Sequence, residues 1–224
     1  MRGIGGDGRP IDRLRRSELS VVSAGLFAVV GVLALRVRGT GLPLGVDRIG
    51  SGIVDSIRAP RRLTVDFGAA APRSLAQPLV AWGTIAVAVA LVVVLAALAV
   101  RRHDTWAVVV SVGAPALAVA LVDGVAKPLV GRYHGTGLAF PSGHATTAAA
   151  AAALVLVLVN RWYGWRPAMH WAPVVALLPL AAGAGVVRLG WHYPTDVVGG
   201  VAFGAAVVMA AAAAVPGPGA SSRR

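Results

Sequence analysis

Nearly all of the chemistry that this chain's residue types can perform lies in two short polar seams. The first runs KPLVGRYHGTGLAFPSGH from Lys127 to His144, and the second runs RLGWHYPTD from Arg188 to Asp196. In the first seam Lys127, Arg132 and His134 precede a glycine-spaced turn, and Pro141-Ser142-Gly143-His144 opens into an alanine-rich helical run. A helix that begins at or near Ser142 leaves its first N–H groups unsatisfied and aims the positive end of its dipole at an anion above them. Lys127 is the single lysine among 21 basic residues, a compact ammonium at the head of the seam. In the second seam His192 and Asp196 stand four apart at a helix start, with Pro194 suited to the first turn, so the carboxylate falls one turn from the imidazole. An aspartate that accepts from one ring nitrogen fixes the tautomer and leaves the other nitrogen free to attack. His144 could then protonate a leaving oxygen, while basic side chains and helix amides stabilise charge on the phosphoryl oxygens. The reaction so assembled is phosphoryl transfer through a phosphohistidine, followed by attack of water.

Each residue taken alone has a plainer reading. A single histidine near the end of an apolar span is more often an interfacial or hydrogen-bonded side chain than a nucleophile. Arg132 and Arg188 could snorkel to lipid headgroups. Asp123, four residues before Lys127, reads first as half of a helix-end ion pair. His103 and His170 lack an acid partner at useful spacing and stay in the plain class. There is no HExxH and no acidic cluster, which argues against a metallo-hydrolase, and neither metal nor cofactor is expected. Cysteine is absent, which removes disulfides and thiolate metal sites.

The elements that must position these seams are membrane spans. The 224 residues are 57% hydrophobic and 13% charged with mean hydropathy +0.74, too apolar for an ordinary soluble domain. The net charge of +12 comes from arginines scattered between apolar runs, which suits attraction to anionic lipid and argues against a nucleic-acid face. The fold class expected is an all-α bundle of six transmembrane helices, at about 19–35, 78–100, 106–126, 145–159, 171–187 and 197–215, forming one domain over 19–215. Residues 1–18 and 216–224 read as polar tails, the first cytoplasmic and partly disordered, the second disordered. Within the polar interval 36–77, Val46, Ile49, Ile53 and Ile57 recur at helical spacing between Pro43 and Pro60, with Asp47, Arg48, Asp55 and Arg58 on other faces. That pattern fits an amphipathic interfacial helix or, equally, a loop with a short buried helix. Six spans put both seams on one side and both termini on the other; the loop charges divide eleven to ten, and the termini are assigned to the inside because the seam charges serve chemistry.

PSGH at 141–144, a Lys-led basic stretch before it, and HYPTD about fifty residues later together resemble the type-2 phosphatidic acid phosphatase family, which shares its site with vanadium haloperoxidases. The resemblance covers roughly residues 78–215. It implies His192 as nucleophile, Asp196 as its orienting group, His144 as acid toward the leaving group, and Lys127, Ser142, Gly143 and the motif arginines around phosphate. The chain departs from the family pattern twice. Where the first motif has Arg-Pro this chain has His134-Gly135, with Arg132 two positions early; where the third has Ser-Arg it has Gly185-Val186, with Arg188 two positions late. Arg132 and Arg188, with His134 as a lesser contact, are therefore the expected substitutes. The implied activity is a metal-independent phosphatase of a polyprenyl phosphate or diphosphate, or of a phosphatidyl-type phosphate, on the outer membrane face, with membrane lipids as its other partners. The alternative is a binding or transport protein that keeps the anion site without turnover. A soluble haloperoxidase is disfavoured by the six spans.

Overall fold

The structure, a computed structural model, describes residues 16–56, 79–135 and 137–215. The tails at 1–15 and 216–224, and the part of the polar interval that includes Ile57, Arg58 and Pro60, lie outside the described residues. Six of the described helices are long and apolar enough to cross a membrane, so this is a multi-pass membrane protein built as an all-α bundle. In chain order they are α1 (Arg16–Val37), α3 (Thr84–Arg101, entered through a π-helical turn at Leu79–Gly83), α4 (Thr105–Leu121), α5 (Gly143–Tyr163), α6 (Trp165–Arg188) and α7 (Pro194–Ala214). Helix α4 continues through a π-helical segment, Val122–Ala126, into a last α turn at Lys127–Val130. A short helix, α2 (Gly45–Ser56), follows α1, and a two-residue antiparallel hairpin, β1 (Tyr133–His134) with β2 (Gly137–Leu138), follows α4.

Helix α5 is the axis of the bundle, with two thirds of its most apolar window buried against a quarter or less in α1, α3 and α6. Its run from Ala148 to Ala153 is buried throughout, because small side chains let helix backbones approach where lipid offers no hydrophobic drive to pack. Helix α7 answers with Gly200 and Gly204. A side chain on Gly200 would collide with the Ser142 carbonyl, and one on Gly204 with the Thr146 carbonyl, so this pair of glycines sets the close crossing of α7 over the start of α5. Helix α1 packs along α7, and α3 and α4 close the other side of α5.

The spans on either side of Gly164 come out longer than expected. Gly164, at φ 97°, is both the last cap of α5 and the first of α6, so the basic aromatic turn at 160–167 is absorbed into helix ends. Pro167 sits in the first turn of α6, where a missing N–H costs nothing. Between the alternatives left open for 46–57, the chain forms a helix with Val46, Ile49 and Ile53 exposed, an apolar face suited to the membrane interface. On another face Asp47 is fully buried where α2 packs on α6 and α7.

Candidate active site

The two seams meet because the first turns of α5 and α7 are bonded to each other. The Ser142 amide donates to the Asp196 carbonyl at 2.9 Å. Ser142 also caps α5: its hydroxyl accepts from the Ala145 amide, and its carbonyl accepts from the amide and hydroxyl of Thr146. That leaves the amides of Gly143 and His144 as the free ends of the helix dipole. Above them lies a cavity of about 360 Å³, apolar on the side of Ile85, Val119 and Val122 and polar on the side of the seams.

Lys127, His134, Gly143, His144 and His192 line that cavity together. His192 turns Nδ1 toward Asp196, 3.8 Å from Oδ2, which leaves Nε2 as the nitrogen available to a substrate. That Nδ1 is buried and has no hydrogen-bond partner among the described residues. Asp196 is held from both sides: Oδ2 accepts from the Tyr193 amide at 2.8 Å and Oδ1 from Arg132 Nη1 at 2.7 Å. His144 projects from the first turn of α5, hydrogen-bonds with the backbone of Ala81 in the π-helical turn before α3, and lies 5.7 Å from the Trp191 ring. His134 Nε2 sits 2.7 Å from the Gly190 carbonyl; a carbonyl only accepts, so Nε2 carries the proton there. The His134 ring packs edge-on against Tyr193 at 4.5 Å, and its Nδ1 is buried without a partner among the described residues. The π-helical segment of α4 sets Asp123 and Lys127 side by side at the cavity wall, paired at 2.6 Å, a place where such segments often carry function.

Three expected phosphate contacts are elsewhere. Ser142 is fully buried as a cap and does not line the cavity. Arg188 is exposed at the C-terminal end of α6 and does not line it either. Arg132 is fully buried behind the site, where its guanidinium donates to Thr195 Oγ1 at 2.6 Å, Asp196 at 2.7 Å, Asp47 at 3.0 Å and the Leu42 carbonyl at 3.2 Å. The backbone dictates this: Gly131, at φ 62°, ends the α4 extension, and the Arg132 carbonyl then accepts from Ala139 at 2.8 Å to open the hairpin. Tyr133 in turn bonds to Thr40, so the segment after α1 closes over the arginine.

Sequence reasoning missed Asp47 and Thr195, which complete the support of Asp196, and Trp191, which lines the cavity. Burial alone would raise the pKa of Asp47, yet hydrogen bonds from the Thr195 and Leu44 amides, the Thr195 side chain and Arg132 outweigh it and hold the carboxyl below its usual range. The local signal for Asp47 was its place three residues after Leu44, whose amide it caps at 2.9 Å; its other partners are remote in sequence.

Comparison with known proteins bears on the family and the fold. The sequence model of the PAP2 superfamily matches residues 125–218. The fold is similar to the crystal structure of a transmembrane PAP2-type phosphatidylglycerolphosphate phosphatase from Bacillus subtilis, with a TM-score of 0.58 and 19% sequence identity over 83% of this chain and 92% of that one. No curated protein matches the chain in sequence.

Proposed function

Residues 125–218 make this chain a member of the PAP2 superfamily, and we propose that it is a membrane phosphatase acting on the phosphate or diphosphate of a lipid. The observation that carries the proposal is the convergence, on one cavity at one end of the bundle, of His192 backed by Asp196, of His144, and of Lys127 with the start of α5. His192 Nε2 attacks phosphorus as the bond to the lipid oxygen breaks, and His144 delivers a proton to that oxygen. Water then attacks the phosphohistidine, His144 takes its proton, and orthophosphate leaves with His192 restored. Lys127 and the amides of Gly143 and His144 hold the phosphoryl oxygens, while His134, whose Nε2–H is given to the Gly190 carbonyl, lines the cavity beside them. Arg132 acts indirectly, through Asp196, and Arg188 is exposed at the end of α6, outside the cavity lining. The apolar wall at Ile85, Val119 and Val122 suits a prenyl or acyl chain, so a polyprenyl phosphate or diphosphate and a phosphatidyl-type phosphate are both substrates of the right chemistry. The proposed orientation puts the site on the extracytoplasmic face with the termini inside, the seam charges serving chemistry.

One observation favours a binding or transport protein without turnover: among the described residues no arginine lines the cavity, and Lys127 is already paired with Asp123. A phosphate-release panel over lipid monophosphates and diphosphates separates the two. Wild type should release phosphate in EDTA and be inhibited by vanadate, His192→Ala should lose activity by about a thousandfold or more, and Arg188→Ala should retain most of it. Undiminished release by His192→Ala would sink the phosphohistidine mechanism, and lipid binding with no release at any pH would establish the second reading.

A further inference from the structure

Asp47 is a fully buried carboxylate that the reaction above does not use, on a helix that is not one of the six spans. Both of its oxygens are committed. Oδ1 accepts from the Thr195 amide at 2.8 Å, in the first turn of α7, and Oδ2 accepts from the Leu44 amide at 2.9 Å and from Arg132 Nη2 at 3.0 Å. The other end of the same guanidinium, Nη1, reaches Asp196 Oδ1 at 2.7 Å. One arginine therefore bridges two carboxylates, and all three side chains are fully buried. The count leaves one negative charge in excess. An excess charge away from water is costly unless something faces it, and what faces it is the His192 ring, with Nδ1 3.8 Å from Asp196 Oδ2.

We propose that Asp47 is a positioning residue that sets the charge behind His192: by neutralising Arg132 it leaves Asp196 its full negative field toward the imidazole. The physical reason is local. Without Asp47, the guanidinium 2.7 Å from Asp196 would cancel most of the charge that the ring sees. With Asp47, the triad carries the negative charge that a cationic ring needs, and the ring of His192 becomes cationic when Nε2 bonds to phosphorus while Nδ1 keeps its proton. The docking of α2 is built for this role. Gly50 packs so closely on Pro194 that a side chain there would meet the proline ring at 2.9 Å, which fixes α2 against the first turn of α7. The low pKa of Asp47 supports the same assignment, since it keeps the carboxylate ionised at neutral pH.

The catalytic consequence rests on the phosphatase reading, but the charge effect on His192 does not, and it is measured without turnover. The full chain in detergent micelles, with isotope-labelled histidine, gives NMR signals from five histidines, and the one missing from His192→Ala is His192. The other groups around the ring are Lys127 and Asp123 from α4, His134 from the hairpin and His144 from α5. All are untouched by substitution at 47, so the difference between proteins isolates the triad. In Asp47→Asn the titration midpoint of His192 should fall by about half a pH unit or more, equal to about threefold in proton affinity. In the double variant Asp47→Asn with Arg132→Met, both added charges are gone, and the midpoint should rise again above that of the single variant. A folded Asp47→Asn protein with the wild-type midpoint would overturn the inference, as would a folded double variant whose midpoint lies well below the wild type's; either protein suffices if the other fails to fold. The kcat for lipid-phosphate release should follow the same order, lowest in Asp47→Asn, with KM changing less. A wild type that shows the NMR difference on substitution but never turns over would uphold the role of Asp47 and contradict the phosphatase reading.

Discussion

The two ends of the bundle each hold an arginine against a carboxylate, and they differ in how the charges are counted. At the end away from the site, Asp104 begins α4 as its cap, accepting from the Ala107 amide at 3.1 Å, and takes two bonds from Arg161 at 2.6 and 2.8 Å and one from Trp162 at 3.2 Å. Arg161 lies over the Trp106 ring, its Cζ 4.4 Å from the centroid, and Trp106 donates to the Val215 carbonyl at 3.0 Å. Within this ion pair one charge meets one charge, a second cation, Arg102, stands apart from the carboxylate over the Trp162 ring at 4.8 Å, and three helix ends are clamped together. At the site end, Arg132 meets two carboxylates, Asp47 and Asp196, and the surplus faces His192. The balanced pair is a fastening; the unbalanced cluster is a fastening that also sets the electrostatics of a reactive ring. Local charge bookkeeping thus separates structural from functional ion pairs that geometry alone would group together.

The comparison breaks first at Arg132. Arg132→Met strands two buried carboxylates and should cost about 3–5 kcal/mol of stability, seen as a large fall in thermal midpoint together with loss of activity. Arg161→Met leaves a carboxylate that keeps its cap and an indole partner and is partly solvated, so the cost should be about 1–2 kcal/mol, with activity per folded molecule unchanged. Equal stability losses at the two ends would erase the distinction drawn here.

A finer test uses acid. Burial tends to raise the pKa of Asp104, but the Arg161, Ala107 and Trp162 hydrogen bonds and the Arg161 charge hold it below the usual carboxylate range. Folding therefore lowers this pKa, so its stabilisation is complete above the ordinary carboxylate value near about pH 4 and is lost as pH falls through the lower folded value. Asp47 has the same sign. The melting temperature of wild type should drop as pH falls below about 4; Asp104→Asn should start lower and lose less over that window, while keeping the part that Asp47 contributes. The smallest effect belongs to the cavity wall. Asp123 ties up Lys127 at 2.6 Å, so Asp123→Asn should tighten vanadate inhibition by about threefold, the usual worth of a partly exposed ion pair, and Lys127→Ala should weaken it.

The six spans were legible because lipid leaves no other arrangement for runs of this hydropathy, and the pair His192 and Asp196 was legible because one helical turn relates its members. Lys127 with Asp123 was legible for the same reason. The supporting shell was not. Asp47 and Arg132 are 85 residues apart, and nothing in either neighbourhood points to the other. The apolar face of α2 was visible as a period, whereas the burial of Asp47 depended on where α6 and α7 stand. Arg188 read as a clamp because it lies in a seam, yet α6 runs on to Arg188 and turns at Gly190, φ 68°, which delivers Trp191 and His192 to the cavity and leaves the arginine exposed at the helix end.

The most direct test of the central claim is a rapid acid-free quench of the protein turning over a radiolabelled lipid phosphate, followed by peptide mapping of the label. Label stable to alkali and labile to acid on the peptide carrying His192, absent from His192→Ala and accumulating in a variant that slows water attack, is the predicted result. Phosphate release at wild-type rate with no label on His192, or label on another residue, would contradict it.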